Sequence, residues 1–269
     1  ENSTVKVDFD IRFELPEDAT QESVYLKIIP ELHSGCNDAH GTRSLRLASA
    51  VETAGQYLIT MDQITLAVSN VPAIQTASPL QDLIHMCTYT VGIEYRDRAP
   101  NEPLFVGQVG IQYDILTETP SLTLPSSNTI ITTTFTTTIV LPEVAASGSL
   151  QMTMTRTSGI DDAGSPHVLT FSDTLPDTYT FTMDTLSTLA SSASFMTSIT
   201  SGGNAVASDL MDGATYDVLL RYVDQIENSE ATVSASSIFF AGSTTLAPTF
   251  ARPTENVRLP QQFVIDFTL

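Results

Sequence analysis

Cys36 and Cys87 can join as a disulfide, and His33, His40, His85 and His167 can move protons or ligate metals. The pairs Asp8/Asp10, Asp161/Asp162 and Asp173/Asp177 offer carboxylate oxygens to a cation such as Ca²⁺. Spacing decides between these chemistries and plainer roles. The histidines follow no metal-ligand spacing, and we read them as surface or loop residues. The acid pairs lack EF-hand or cadherin-type spacing, so a solvated acidic face is expected, with no metal and no cofactor. Asn2-Ser-Thr4 is an N-glycosylation acceptor, and Thr132, Thr134, Thr136 and Thr138, with the Ser/Thr-rich stretch 187–201, offer hydroxyls for O-linked sugars. The plainer reading of those threonines is an ordinary strand surface. Two thiols are read first as one bridge, the alternative being two separate buried thiols.

The composition narrows the partners. Against 31 acidic residues stand 11 basic ones, a net charge of −20, which repels phosphate backbones and anionic headgroups. Nucleic acid is therefore not an expected partner. No apolar run is long enough for a membrane-spanning helix, so membrane insertion is not expected either. About a quarter of the 269 residues are Ser or Thr and none is Trp, a usage that favours strands and is unusual for an intracellular enzyme.

What must position these residues is a repeat. Phe9-Asp-Ile-Arg-Phe-Glu-Leu-Pro-Glu17 returns as Phe135-Thr-Thr-Thr-Ile-Val-Leu-Pro-Glu143, and its beginning returns as Phe263-Val-Ile-Asp-Phe-Thr-Leu269. Tyr89, Tyr95, Asp97 and Asn101 match Tyr216, Tyr222, Asp224 and Asn228. Such spacing predicts one repeat over 1–118, a second over 119–246, and the opening strands of a third over 247–269. The first repeat lacks an opening strand equivalent to Ser121-Leu-Thr-Leu124, and the chain reads as an internal piece of a longer protein. The positions matching Cys36 and Cys87 are Ile160 and Ala214, so both cysteines are absent together from the second repeat. Joint loss is what a bonded pair predicts, and a bridge would imply an oxidising compartment.

Within each repeat the pattern is that of strands. Val5, Val7, Phe9, Ile11, Phe13 and Leu15 alternate with polar residues, predicting one strand with a buried face. Ile131, Phe135, Ile139 and Leu141 take the buried positions of the second copy, with Thr132, Thr134, Thr136 and Thr138 outward. Similar alternation at 24–28, 89–95, 150–154 and 216–222, separated by Pro, Gly, Asn and Asp, predicts about seven short strands per repeat. A helical turn is expected at 184–192, capped by Asp184, with Leu186 and Leu189 on one face. The six paired tyrosines, Tyr57, Tyr89, Tyr95, Tyr179, Tyr216 and Tyr222, are read as core and corner residues rather than as a sugar-binding platform.

The Leu-Pro-Glu that ends an alternating strand, followed by a segment such as Leu210-Met-Asp-Gly-Ala-Thr-Tyr-Asp-Val-Leu-Leu-Arg-Tyr-Val-Asp224, resembles the Ig-like or fibronectin type III-like tandem repeats of large secreted bacterial and algal proteins. The resemblance covers essentially the whole chain. It implies an all-β fold of tandem antiparallel β-sandwich domains and a stalk, adhesin or fibre role, with no catalytic residues. Each repeat is longer than a typical fibronectin module. The expected function is that of an extracellular or cell-surface structural protein, partnered by copies of itself, further repeats or glycans. A cell-surface adhesin or carbohydrate-binding module is the alternative, and an accessory spacer in a secreted enzyme a third. Phe263, Ile265, Phe267 and Leu269 form the buried face of a strand without the rest of its repeat. That strand is expected to pair with a neighbouring molecule or to continue into a next repeat.

Overall fold

The structure is a computed structural model that describes residues 3–31, 36, 38–99, 101–172, 174–192, 194–242, 249–252 and 266–268. Its regular structure is mainly strand, and the chain divides into two compact units. Unit 1 comprises Glu1–Glu118 with Glu143–Ala146 and Tyr222–Ala231, and unit 2 comprises Thr119–Pro142, Ser147–Arg221 and Thr232–Leu269.

Unit 1 contains β1 (Ser3–Val5), β2 (Asp10–Leu15), β3 (Tyr25–Pro30), β4 (Arg43–Leu47), β5 (Gly55–Thr60), α1 (Ile64–Asn70), β6 (Ile74–Ser78), β7 (Cys87–Tyr95) and β8 (Leu104–Tyr113). The next strands are β9 (Ser121–Leu124), β10 (Ile130–Ile131), β11 (Phe135–Leu141), β12 (Gln151–Gly159), β13 (His167–Phe171) and β14 (Asp177–Met183). They are followed by α2 (Leu186–Ser192), β15 (Met196–Ser201), β16 (Ala214–Tyr222), β17 (Ala231–Phe240), β18 (Thr249–Arg252) and β19 (Asp266–Thr268).

Two six-stranded sheets have the orders β1-β8-β7-β3-β4-β6 and β10-β17-β16-β12-β13-β15. These orders are the same under the sequence offset, and so are the registers. Leu26 faces Ile93 and Leu45, while Met152 faces Leu220 and Leu169. Even the irregularities coincide: the β4·β6 ladder shifts register before Leu47 and the β13·β15 ladder before Phe171. In each sheet the first strand lies parallel to the last, β1 on β8 and β10 on β17. A bulge near the middle of β8 puts Gly110 at φ 72°, and β17 holds Ser237 at φ 58° in the matching place. The Ser237 N–H is held by Asp217 Oδ1 at 2.9 Å, which offsets the cost of a left-handed conformation for a residue with a Cβ.

The remaining strands form smaller sheets. β2 pairs with β5, and β11 pairs with β14 on one side and β9 on the other. Here the sequence pattern needs correction, because 5–15 is not one strand. Val5 belongs to β1 and pairs with Tyr113, whereas β2 starts at Asp10 and pairs with β5. The chain turns at Val7–Asp8 to leave one sheet for another, and alternation of apolar residues continues through the turn because both strands bury the same face. The same break separates β10 from β11, with Thr132 Oγ1 donating to the Thr134 carbonyl across the bend at 3.0 Å.

Alternation does identify the cores. Val24, Leu26, Ile28, Leu45 and Tyr89 in unit 1, and Met152, Met154, Leu169, Val218 and Leu220 in unit 2, are fully buried. Each such aliphatic side chain contributes about 1.5–3 kcal/mol by leaving water. The expected turn of helix is α2, with Leu186 and Leu189 both buried. Its cap differs from expectation: among the described residues Asp184 accepts from the adjacent Thr185 N–H, and the Ser187 N–H is taken by Asp209 Oδ1 at 2.8 Å. Unit 1 has a matching helix, α1, whose Thr65 N–H is held by Asp82 Oδ1 at 2.8 Å.

Candidate functional sites

Cys87 begins β7 and is buried, Cys36 lies half-buried across from it, and the two form the disulfide, with Cα atoms 5.0 Å apart. The bond closes a 51-residue separation in sequence and ties the segment before β4 to the central strand of its sheet. Asp38 and Arg43 follow soon after Cys36, and with Tyr89 they make a buried polar node. The Arg43 side chain, 0% exposed, forms an ion pair with Asp38 Oδ2. It also donates to the carbonyls of Gly41 and Asp82, both at 2.7 Å, and of Gln81 at 3.3 Å. Tyr89 Oη donates to Asp38 Oδ2 at 2.7 Å and accepts from the Ile84 N–H at 2.9 Å. Burial alone raises the Asp38 carboxyl, but the hydrogen bonds from Arg43, Tyr89 and the His40 N–H outweigh it and hold the group below the ordinary carboxylate value. Burial pushes the Tyr89 phenol well above its ordinary range.

The second unit carries the same node with one residue exchanged. Asp162 stands where Asp38 does, Tyr216 where Tyr89 does, and His167 where Arg43 does. His167 Nε2 lies 2.8 Å from Asp162 Oδ2, and its Nδ1 lies 2.9 Å from Ser201 Oγ. That is the connectivity of a Ser-His-Asp triad, and it requires a chemical test. A hydrolytic serine needs a substrate carbonyl within reach of Oγ and donors for the oxyanion. Here His167 is 0% exposed and Ser201 3%, and Ser201 Oγ is already held by the Ser208 N–H at 2.9 Å. The arrangement closes a buried polar network, as Arg43 does in unit 1. His167 and Asp162 therefore correct the sequence reading, which placed the histidine at the surface or in a loop and the aspartate on a solvated face; the 124-residue offset that relates Cys36 to Ile160 also relates Arg43 to His167, whereas the tyrosine landmarks lie 127 apart.

A third group was missed altogether. Asp114 after β8, Glu143 after β11 and Asp224 after β16, all within unit 1, bring carboxylate oxygens within 4.8 Å of one another. Asn228 crosslinks them, its Nδ2 donating to Asp114 Oδ1 at 3.1 Å and Asp224 Oδ2 at 2.6 Å. Glu143 Oε1 accepts from the Glu118 N–H at 2.5 Å and from Tyr222 Oη at 3.0 Å. All-oxygen donors are those a hard cation takes, yet each carboxylate already has a protein hydrogen-bond donor. Burial pushes Asp114 and Glu143 upward, and neighbouring carboxylates push the same way: Asp224 and Glu118 on Asp114, Asp114 and Asp224 on Glu143. A carboxyl raised in the folded state adds most stability when protonated, and that contribution is lost as pH rises through the folded value. Asp114→Asn is therefore expected to raise stability at pH 7 by about 1 kcal/mol, a gain of several degrees in melting temperature, and to lose that advantage towards pH 4. Paired melts at the two pH values check this.

The other expected sites are scattered. Thr132, Thr134 and Thr136 are exposed, whereas Thr138 is half-buried with its Oγ1 3.3 Å from Thr180 Oγ1. Asp8, Asp10, Asp161 and Asp177 are exposed, as a solvated face requires, and His40 is exposed. His85 is half-buried, with Nδ1 3.2 Å from Asp114. Asn2, His33, Asp173, Phe263, Ile265 and Leu269 lie outside the described residues. Phe267 lies in β19, opposite Phe250 of β18. Tyr89, Tyr95, Tyr216 and Tyr222 are buried, while Tyr57 and Tyr179 each donate to the carbonyl four residues earlier, Thr53 at 2.6 Å and Leu175 at 2.7 Å. Among the described residues no helix is long and apolar enough to cross a membrane. Neither the family models nor the curated protein sequences compared with the chain match it.

Proposed function

We propose that this chain is an extracellular structural protein, a fibre subunit or stalk, assembled from tandem Ig-like or fibronectin type III-like β-sandwich repeats and carrying sugars on its outward threonines. The observation that carries the reading is the reuse of one pairing scheme. In β9·β11, Ser121, Leu122 and Leu124 face Val140, Ile139 and Thr138. In β18·β19, exactly one repeat on, Thr249, Phe250 and Arg252 face Thr268, Phe267 and Asp266, with the register shift at the same step. A pairing scheme used twice along one chain, about one repeat apart, supports a modular spacer, whose mechanism is reach and stiffness. The Cys36–Cys87 bond supports an oxidising compartment. The sealed Ser201–His167–Asp162 contact supports a non-catalytic role.

Electron microscopy of native material, combined with intact-mass measurement, tests the reading. Regular filaments or strings of modules with mass beyond the polypeptide support it. Dispersed particles of bare polypeptide mass overturn it in favour of a binding module.

A further inference from the structure

In unit 2 the strand β11 is paired on both edges, by β14 and by β9, whereas β2 in unit 1 has β5 on one edge and no strand on the other among the described residues. Along that open edge runs a cavity of about 510 Å³. Its walls are Ile11, Phe13 and Leu15 of β2 and, across from them, Ile93, Leu104 and Val106 of β7 and β8.

The equivalent face of the second unit is less exposed. Val106 is 67% exposed and Leu104 56%, while their counterparts Val233 and Ala231 are half-buried. Gln108 is exposed, and its counterpart Ala235 is buried. On the opposite wall Ile11 and Phe13 are half-buried, but Thr137 and Ile139 are completely buried. The difference lies where β9 contributes its Leu122 opposite Ile139. Ser3, at the start of β1, also lines the cavity.

We propose that this groove is an acceptor for a single extended strand of β9's chemistry, a polar-leucine-polar-leucine-proline segment supplied by polypeptide N-terminal to Ser3 in the same chain; the proposal rests on the repeat reading above. The matching register sets a leucine opposite Phe13, a serine opposite Glu14 and a second leucine opposite Arg12. Backbone hydrogen bonds to the free edge of β2 hold the strand, and the apolar walls select its leucines. A second copy donating β18 fits less well, since the same register sets Arg252 against Arg12, whereas Arg252 faces Asp266 in its own chain.

The test extends the full chain at Glu1 with Pro-Ser-Leu-Thr-Leu-Pro-Ser, the sequence of residues 120–126, which the 126-residue spacing places in the groove. A control extension carries aspartate for both leucines. The leucine form is expected to melt at least 5 °C higher and to slow hydrogen exchange at β2 amides tenfold or more, and the aspartate form to do neither. Equal behaviour of the two extensions overturns the proposal. Protection of β2 that appears in the unextended chain as its concentration rises makes a second copy the occupant, and overturns the proposed source. Filaments formed with β2 unprotected would remove the acceptor site alone, whereas a protected β2 in dispersed, bare particles would leave the groove and remove the fibre.

Discussion

Arg43→Met is expected to cost unit 1 about 3–5 kcal/mol, because it strands the Asp38 carboxylate, 6% exposed, without its cationic partner. Three backbone carbonyls, those of Gly41, Gln81 and Asp82, lose their donor at the same time. Arg43→His is the informative comparison, since His167 fills that position in unit 2 and reaches its aspartate at 2.8 Å. It is expected to cost less than half as much as methionine. The pH dependence has a definite sign. The Asp38 carboxyl is depressed in the folded state, so its stabilisation is present above the ordinary carboxylate value and is lost as pH falls through the lower folded one. The gap between wild type and Arg43→Met is therefore widest at neutral pH and closes in acid. Urea titrations at pH 7 and pH 3 measure it, and a loss below 1 kcal/mol for methionine at pH 7 would show that the node does not hold the fold.

Reduction of Cys36–Cys87, or the double replacement Cys36→Ser with Cys87→Ser, is expected to cost about 4 kcal/mol, the loop-closure contribution for a separation of 51 residues. Unit 2 contains no cysteine and serves as an internal control. The loss should fall on the transition of unit 1 alone. Equal loss in both transitions, read by exchange at β7 and β16 amides, would mean that the bond acts on more than its own unit.

Strands were legible because their signal is local. Alternation at 24–28 and 216–222 reports burial of one face, and β3 and β16 follow. The correspondence between the two six-stranded sheets was legible because two copies of one pattern identify each other without any knowledge of contacts. The cysteine pair was legible for the same reason, through its joint absence from the second copy. What stayed hidden depends on residues brought together from far apart. Asp82 and Asp209 hold first-turn N–H groups, of Thr65 and Ser187, that lie 17 and 22 residues before them. Asp114 meets Asp224 only after an entire strand array has been laid down between them. The polar nodes were half visible: Tyr89 and Tyr216 were matched at 127 residues, but Arg43 and His167 sit at 124, since the intervening loops differ in length. Aligning by strand instead of by a fixed offset would have set His167 beside Arg43 and marked it as a core residue. The split of 5–15 into β1 and β2 left no trace in hydropathy, because the chain changes partners without changing the face it buries.

The parallel pairing of the first and last strands of each sheet bears on how tension would travel. Force applied between the start of β1 and the end of β8 would pull two parallel strands from opposite ends, and such strands slide lengthwise past each other. The hydrogen bonds linking Ser3–Val5 to Ile111–Tyr113 then carry the load side by side and must fail together, whereas an antiparallel terminal pair would open one bond at a time like a zip. Resistance to pulling is a matter of unfolding rate more than of equilibrium stability. On the proposed stalk reading, a ladder three residues long among the described residues would be the first element of its sheet to bear the load.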